Sequence, residues 1–132
     1  MSEPCLSIIM PAYNAENTIE KAIESILQQT YTNYELIVID DCSTDHTVEI
    51  IRKIAAIDER IILVKQGKNG GPGAAKNRGI GMARGTYIAF CDSDDWVEAD
   101  MYYDLCEDLN KHETDVVICG YTQDCLLYTS PS

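Results

Sequence analysis

Three carboxylates fall within four positions in the segment Asp92-Ser93-Asp94-Asp95, which directly follows the apolar run from Tyr87 to Cys91. An apolar run of this length is typical of a buried strand. Carboxylates crowded at a strand end repel one another unless a cation or a hydrogen-bond network neutralises them. Reactions of diphosphates use a hard divalent ion held by one or two carboxylates, with phosphate oxygens in its other positions. The segment therefore indicates such a metal site, although an Asp-rich turn with a helix N-cap explains it equally well.

A second acidic pair, Asp40 and Asp41, ends the β-branched run from Glu35 to Ile39. A carboxylate at this position can accept hydrogen bonds from a base N–H or a ribose hydroxyl, or it can cap the following turn. We assign about one residue of the pair to each role. Tyr13 offers a flat face and a hydroxyl for stacking near a base, and ordinary packing at a rim is the alternative.

The glycine-rich segment from Gly67 to Gly73 predicts a flexible loop. It matches neither the Walker A pattern nor the G-x-G-x-x-G fingerprint. Its glycines allow positive φ and close approach of a ligand, and a mobile surface loop is an equally good interpretation. Lys76 and Arg78 follow, in what we predict to be the first turns of the next helix. Because the helix dipole disfavours cations there, they indicate a nearby anion, or else two solvated surface cations.

These residues are positioned by strands that alternate with amphipathic helices along the chain. The predicted strands are Leu6–Met10, Glu35–Ile39, Arg60–Lys65, Tyr87–Cys91 and Asp115–Cys119. The predicted helices are Glu16–Gln29, Thr47–Ile57, Ala74–Arg84 and Ala99–Lys111. This alternation indicates an α/β fold with a mainly parallel sheet, in which ligands bind at the carboxyl ends of the strands. The residues Pro11 to Asn14, the Asp40–Asp41 pair, the glycine loop and the Asp92 segment should therefore converge on one edge.

Composition narrows the class of protein. The chain has 132 residues, enough for one domain, and a formal net charge of −12, which argues against a nucleic-acid partner but not against a nucleotide ligand. None of the six cysteines forms a C-x-x-C pair, so we predict buried thiols in a reducing compartment and no zinc site. We predict no signal peptide, because only a short apolar run follows Met1 to Glu3, and this sequence has no apolar stretch long enough to span a bilayer. We therefore predict a cytoplasmic protein, with membrane association possible only through segments outside this sequence.

The motifs occur in an order that resembles glycosyltransferase family 2. They are Ser7 to Asn14, Ser25 to Tyr31, Val38 to Asp45, Asn69 to Gly71, Ala74 to Gly79 and Tyr87 to Asp95. The resemblance implies a GT-A fold, in which a Rossmann-like, mainly parallel sheet is flanked by helices. It implies inverting transfer of a sugar from a nucleotide-diphosphate sugar, such as a UDP-sugar, to an acceptor hydroxyl. The implied acceptor is a glycan or a lipid-linked molecule, which would allow action at the inner face of the membrane.

The resemblance also implies roles for particular residues. The donor nucleotide site would comprise Pro11, Ala12, Tyr13, Asp40, Asp41, Gly70, Gly71, Lys76, Asp92 and Ser93. Pro11 and Tyr13 would frame the base, and Asp41 would bind its edge. Asp94 and Asp95, in the DXD motif, would hold Mg²⁺ or Mn²⁺. Two positions depart from the family: Cys42 replaces the usual glycine or asparagine, and Lys76 replaces a frequent arginine, keeping the charge but losing bidentate geometry.

The general base that activates the acceptor is an acidic residue downstream of the donor half in this family, so we expect it beyond Ser132. We accordingly predict that residues 1–120 form the donor-binding part of a truncated GT-A domain and that residues 121–132 are a tail of uncertain origin. A fragment that binds nucleotide and metal without transferring sugar is the alternative. A nucleotidyltransferase would need a glycine-rich signature near its N-terminus, which the segment from Pro11 to Asn14 does not provide.

Overall fold

The computed structural model describes residues 6–94 and the backbone of residues 116–118 and 126–129. The strands are β1 Leu6–Ala12, β2 Tyr34–Asp40, β3 Ile61–Lys65, β4 Tyr87–Phe90, β5 Val116–Ile118 and β6 Leu126–Thr129. The helices in the described part are α1 Ile19–Leu27, α2 Thr47–Ala55 and α3 Gly71–Met82. None of these helices has the length and apolar composition needed to cross a membrane.

The strands form one sheet in the order β3-β2-β1-β4-β6-β5. Strands β3, β2, β1 and β4 are parallel to one another, and β6 pairs antiparallel with both β4 and β5. The parallel register aligns Ala12 of β1 with Asp40 of β2, and Asp40 with Lys65 of β3. The carboxyl ends of these strands therefore meet at one edge, and the predicted mainly parallel α/β sheet is confirmed.

Successive side chains of a strand point to opposite faces of the sheet, so the apolar strands present apolar residues on both faces. Helices cover both faces. On one face, Leu36 and Val38 of β2 belong to a core that includes Ile23 of α1 and Ile51 of α2. On the other face, Ile37 and Ile39 pack with Ile9 of β1 and Ala75 of α3. The strands β1 and β2 are buried along their whole length, as parallel strands covered on both sides should be.

The prediction for α3 is wrong at its start, because the helix begins at Gly71 and not at Ala74. Residues 71–73 are therefore the first turn of a helix and not the end of a loop. Two features explain the earlier start. The carboxylate of Asp41 accepts the N–H groups of Gly70 and Gly71, and Pro72 occupies an early helical position where no N–H is needed. The helix also ends at Met82, before the predicted Arg84, since Ala83 is extended with ψ 134°.

Other element ends differ by a few residues. Helix α1 begins at Ile19 and not at Glu16, because residues 16–18 form a turn in which the N–H groups of Thr18 and Ile19 both donate to the Ala15 carbonyl. Strand β6 was not predicted from the sequence, and whether residues 121–132 have a separate origin stays a prediction. The predicted helix Ala99–Lys111 lies outside the described residues. Cys91 is buried, as predicted, and its Sγ lies 3.7 Å from the Asp92 carbonyl oxygen.

Candidate functional site

An open cleft of about 510 Å³ lies at the carboxyl edge of the parallel strands. The predicted site residues that line it are Pro11, Ala12, Tyr13, Asp41, Gly71, Asp92, Ser93 and Asp94. The cleft is also lined by residues to which the sequence analysis gave no role of their own, namely Asn14, Ala15, Thr18 and Asn69. Four separate segments of the chain thus contribute to one cavity, as expected for the carboxyl edge of such a sheet.

Asp41 links this cleft to the start of α3. Its side chain is 4% exposed, and its two oxygens accept the N–H groups of Gly70 and Gly71, each at 2.9 Å. Asn69 adds a hydrogen bond from its side-chain amide to the Asp41 carbonyl oxygen at 3.3 Å. A carboxylate is favoured at a helix N-terminus by the dipole and by the unpaired N–H groups there. Each oxygen has two lone pairs, so Asp41 retains acceptor capacity for a ligand N–H or O–H.

Asp40 lies on the opposite face of β2 and is 1% exposed. One oxygen accepts the N–H of Ser43 at 3.2 Å, and the other, Oδ1, has no hydrogen-bond partner within the described part of the chain. Asp40 does not line the cleft. It anchors the turn after β2, as one of the two roles foreseen for this pair, and a contact between Asp40 and the donor stays a prediction.

Reciprocal hydrogen bonds join the loop after β1 to the loop after β2. The Asn14 N–H donates to Ser43 Oγ at 2.9 Å, and the Thr44 N–H donates to Asn14 Oδ1 at 2.7 Å. Thr47 Oγ1 accepts the Ala15 N–H at 2.8 Å. Asn14 has φ 47°, a left-handed conformation that asparagine tolerates better than most residues. These bonds fix the loop that carries Tyr13, and the only sequence signal for them is the asparagine itself.

Charged groups extend the same junction on the protein surface. Glu16 Oε2 accepts the backbone N–H of His46 at 2.9 Å and lies 3.0 Å from Nδ1 of the His46 ring. The hydrogen bond to Glu16, followed by the charges of Glu49 and Glu16, raises the pKa of His46 above its usual 6.5. Burial would raise the pKa of Asp45, but hydrogen bonds from Thr47 and from the Glu16 N–H outweigh it and lower that pKa. The junction is therefore held by Asp45, whose lowered pKa favours the carboxylate, and by His46, whose raised pKa favours the protonated ring.

The acidic segment after β4 faces the same cleft as Asp41. Asp92 and Ser93 are half-buried, and Asp94 is exposed. Asp95 lies outside the described residues, and among the residues that are described no group of three or more His, Cys, Asp or Glu side chains could hold a metal. Magnesium and manganese need only one or two carboxylates when phosphate oxygens and waters complete their coordination. The exposed carboxylate of Asp94 can supply one such ligand at the cleft.

The cations of α3 do not support the prediction of an anion at its N-terminus. Because the helix begins at Gly71, Lys76 is its sixth residue. It therefore lies outside the first turn, to which the effect of the dipole is confined. Its Nζ lies 5.5 Å from the centroid of the Phe90 ring, while Arg78 donates a hydrogen bond to Gln66 Oε1 at 2.9 Å. Neither side chain lines the cleft. The argument from the dipole is therefore wrong, and contact between Lys76 and the donor stays a prediction.

The mainly parallel sheet, with helices on both faces and an acidic segment at its carboxyl edge, has the GT-A fold, as its match to glycosyltransferases such as TarS shows. The family model "Glycosyl transferase family 2" matches residues 7–125. The chain belongs to glycosyltransferase family 2, as the sequence motifs predicted.

Named relatives show how far the likeness extends. The chain is 43% identical over 118 residues to WfaP of Escherichia coli, a UDP-Glc:alpha-D-GlcNAc-diphosphoundecaprenol beta-1,3-glucosyltransferase, covering 89% of this chain and 45% of WfaP. The crystal structure of Staphylococcus aureus TarS in complex with UDP-GlcNAc matches with a TM-score of 0.81 and 32% identity, covering 86% of this chain and 33% of that one.

A mannosyltransferase from Pyrobaculum calidifontis, in complex with GDP-Man and Mn²⁺, matches with a TM-score of 0.86 over 97% of this chain and 45% of that one. Its 21% identity supports the fold alone. The chain spans less than half the length of the curated relatives that it matches.

Proposed function

We propose that this chain is the donor-binding part of an inverting glycosyltransferase that takes a UDP-sugar as its donor. The observation that carries the proposal is the presence of Asp41, Tyr13 and the segment from Asp92 to Asp94 in one cleft. An aromatic ring, a hydrogen-bond acceptor and a carboxylate ligand are what a base, its N–H edge and a metal-bound diphosphate require. The complex of TarS with UDP-GlcNAc supports the choice of UDP.

The nucleotide would occupy the part of the cleft between the β1 loop and Asp41. Tyr13 is 52% exposed, so its ring is available to a base. Asp41 would accept a base N–H while continuing to bind the first turn of α3. On the family resemblance, Pro11 and Ala12 frame the base from β1, and Lys76 approaches the base or the diphosphate.

A divalent ion, Mg²⁺ or Mn²⁺, would be held by Asp94 and Asp95, with Asp92 and Ser93 contacting the ribose or sugar side. When bound, the ion supplies charge stabilisation for the departing diphosphate. The chain's own contribution is to hold oxygen ligands and the nucleotide in one cleft, which orients the donor for attack from the opposite side of the sugar. An acidic general base, assigned by resemblance to a position downstream of the donor part, would take the proton of the acceptor hydroxyl.

The proposed acceptor is a lipid-linked glycan, reached from the cytoplasm at the inner face of the membrane. The support is the printed activity of WfaP, which acts on a diphosphoundecaprenol-linked sugar. The cleft residues described above contact only the donor in this proposal, so the acceptor contacts belong to other parts of the protein.

A donor screen tests the proposal. The purified chain is incubated with Mn²⁺ and UDP-, GDP- or dTDP-sugars, and release of the nucleoside diphosphate is measured with and without a lipid-linked acceptor. Turnover of a UDP-sugar that is lost in Asp94→Ala and retained in Glu20→Ala, an exposed α1 residue that does not line the cleft, supports an enzyme. Binding of UDP without turnover supports a nucleotide-binding module, and failure to bind any of the three nucleotides contradicts the proposal.

A further inference from the structure

Two carboxylates, one in β2 and one directly after it, meet the two ends of α3. Glu35, Ile37 and Ile39 alternate along β2 and share the face that α3 covers, and Asp41 directly follows the strand. Ile37 and Ile39 pack against the helix, while the carboxylates flank them at either end. We refer to Glu35 and Asp41 together as the β2 carboxylate pair.

Glu35 holds the chain just beyond the C-terminal end of α3. It is 2% exposed, and its oxygens accept the Arg84 N–H at 2.7 Å and the Arg84 Nε–H at 3.0 Å. The hydroxyl of Ser7 on β1 donates to Glu35 at 2.6 Å and accepts the Gly85 N–H at 2.8 Å. A buried carboxylate with three donors is tightly held, since removing any donor would leave it less compensated.

The spacing of the pair matches the length of the helix. Glu35 and Asp41 are six residues apart, which is about 20 Å along an extended strand. The twelve residues of α3 span about 18 Å. The strand can therefore bind both ends of the helix at once, with Asp41 at Gly70 and Gly71 and Glu35 at Arg84.

Between these ends, α3 buries few apolar side chains. Ala75 is its one buried apolar side chain in the described part of the chain, with Ile80 half-buried beside it. At Gly79 the backbone lies so close to β1 that an added Cβ would be 2.5 Å from Ile9 Cγ2. A helix that combines little apolar burial with several glycines depends on its end contacts for its position.

We propose that Glu35 is a positioning residue for the donor cleft, acting from the opposite edge of the sheet. By holding the end of α3 at Arg84, Glu35 keeps Gly70 and Gly71 in place against Asp41. Gly71 and Asp41 line the cleft, so the position of the helix sets its shape. The effect on donor binding rests on the proposed function, whereas the effect on Gly70 and Gly71 does not.

Amide hydrogen exchange in the free protein tests the positioning directly. Glu35→Gln replaces the carboxylate by an amide, which faces three hydrogen-bond donors. Arg84→Ala removes only the exposed side chain that binds Glu35, so this second variant keeps the proposal testable if Glu35→Gln does not fold. Tyr34→Phe is the matched control, because Tyr34 neighbours Glu35, faces α1 and loses one hydrogen bond, to the Ile26 carbonyl. We expect exchange at Gly70 and Gly71 to rise about tenfold in both test variants, a typical size for coupling between sites, and not in Tyr34→Phe.

Nucleotide affinity supplies the second measurement. UDP with Mn²⁺ should bind about tenfold more weakly to Glu35→Gln or Arg84→Ala than to a Tyr34→Phe variant of equal thermal stability. Unchanged exchange at Gly70 and Gly71, a rise spread evenly over the whole chain, or unchanged UDP affinity would each overturn the positioning role. If the wild-type chain binds no UDP, the proposed function fails, and the exchange measurement still decides whether Glu35 positions α3.

Discussion

The carboxylate of Asp41 accepts the backbone N–H of Gly71 at 2.9 Å and lines the cleft at the same time. One buried side chain therefore contributes to the helix start and to the candidate site together. In Asp41→Asn the amide nitrogen would face one of the two backbone donors, so we expect a loss of about 1–3 kcal/mol in the free energy of unfolding, the usual cost of an unpaired buried donor. Urea denaturation measures this loss, with Glu20→Gln as the control. Unchanged stability would mean that the cap contributes nothing.

Cys42 has φ 63°, in the left-handed region that glycine favours, and donates a weak hydrogen bond from Sγ to the Gln66 carbonyl. Cys42→Gly removes a conformational cost of roughly 1–2 kcal/mol and adds a backbone entropy cost of about half that size. We expect its stability to equal that of the wild type or to exceed it slightly. Cys42→Val should be less stable, because a β-branched residue resists this conformation. Chemical denaturation of the three proteins gives the order, and a stable Cys42→Val variant would contradict it.

Gly85 lies against β1 so closely that an added Cβ would be 2.7 Å from the Ser7 nitrogen and 2.8 Å from the Leu6 carbonyl carbon. These are backbone atoms that cannot move aside, so Gly85→Ala should destabilise the fold by about 1–3 kcal/mol or more. Gly67 is the matched control, because nothing lies within 4 Å of a Cβ built there. Thermal unfolding should show a clear decrease for Gly85→Ala and little change for Gly67→Ala. Equal melting temperatures would show that the contact with β1 is not tight.

His46 should titrate above its usual pKa of 6.5, because Glu16 accepts its hydrogen bond and Glu49 adds negative charge. A pKa raised in the folded state stabilises the protein below the unfolded value, and this contribution disappears as the pH rises through the folded value. The junction of the two loops should therefore loosen slightly as the pH rises from 6.5 through the raised pKa of His46. An NMR titration of the His46 ring should give a midpoint above 6.5 that falls in Glu16→Gln. A midpoint unchanged by Glu16→Gln would rule out this pairing.

The sequence predicted the strands well because parallel strands covered on both faces are nearly continuous apolar runs, as β1 and β2 are. It also predicted which segments meet at the cleft, since the carboxyl ends of parallel strands share an edge. It did not predict the start of α3, because Asp41 and Gly71 are 30 positions apart and local residue preferences favoured a loop at the glycines. The bond between Asn14 and Thr44, also 30 positions apart, has the same character. Contacts of this kind depend on the assembled sheet and leave little local signal.

Isothermal titration calorimetry of UDP, in Mn²⁺ and in chelator, shows whether the cleft binds a nucleotide diphosphate through a divalent ion. If the cleft holds a nucleotide diphosphate through a divalent ion, removal of the metal should weaken binding by at least about tenfold. Asp94→Asn should weaken binding in Mn²⁺ to a similar degree, and Glu20→Gln should leave it unchanged. Equal affinity with and without chelator, or equal affinity of Asp94→Asn and the wild type, would contradict the account.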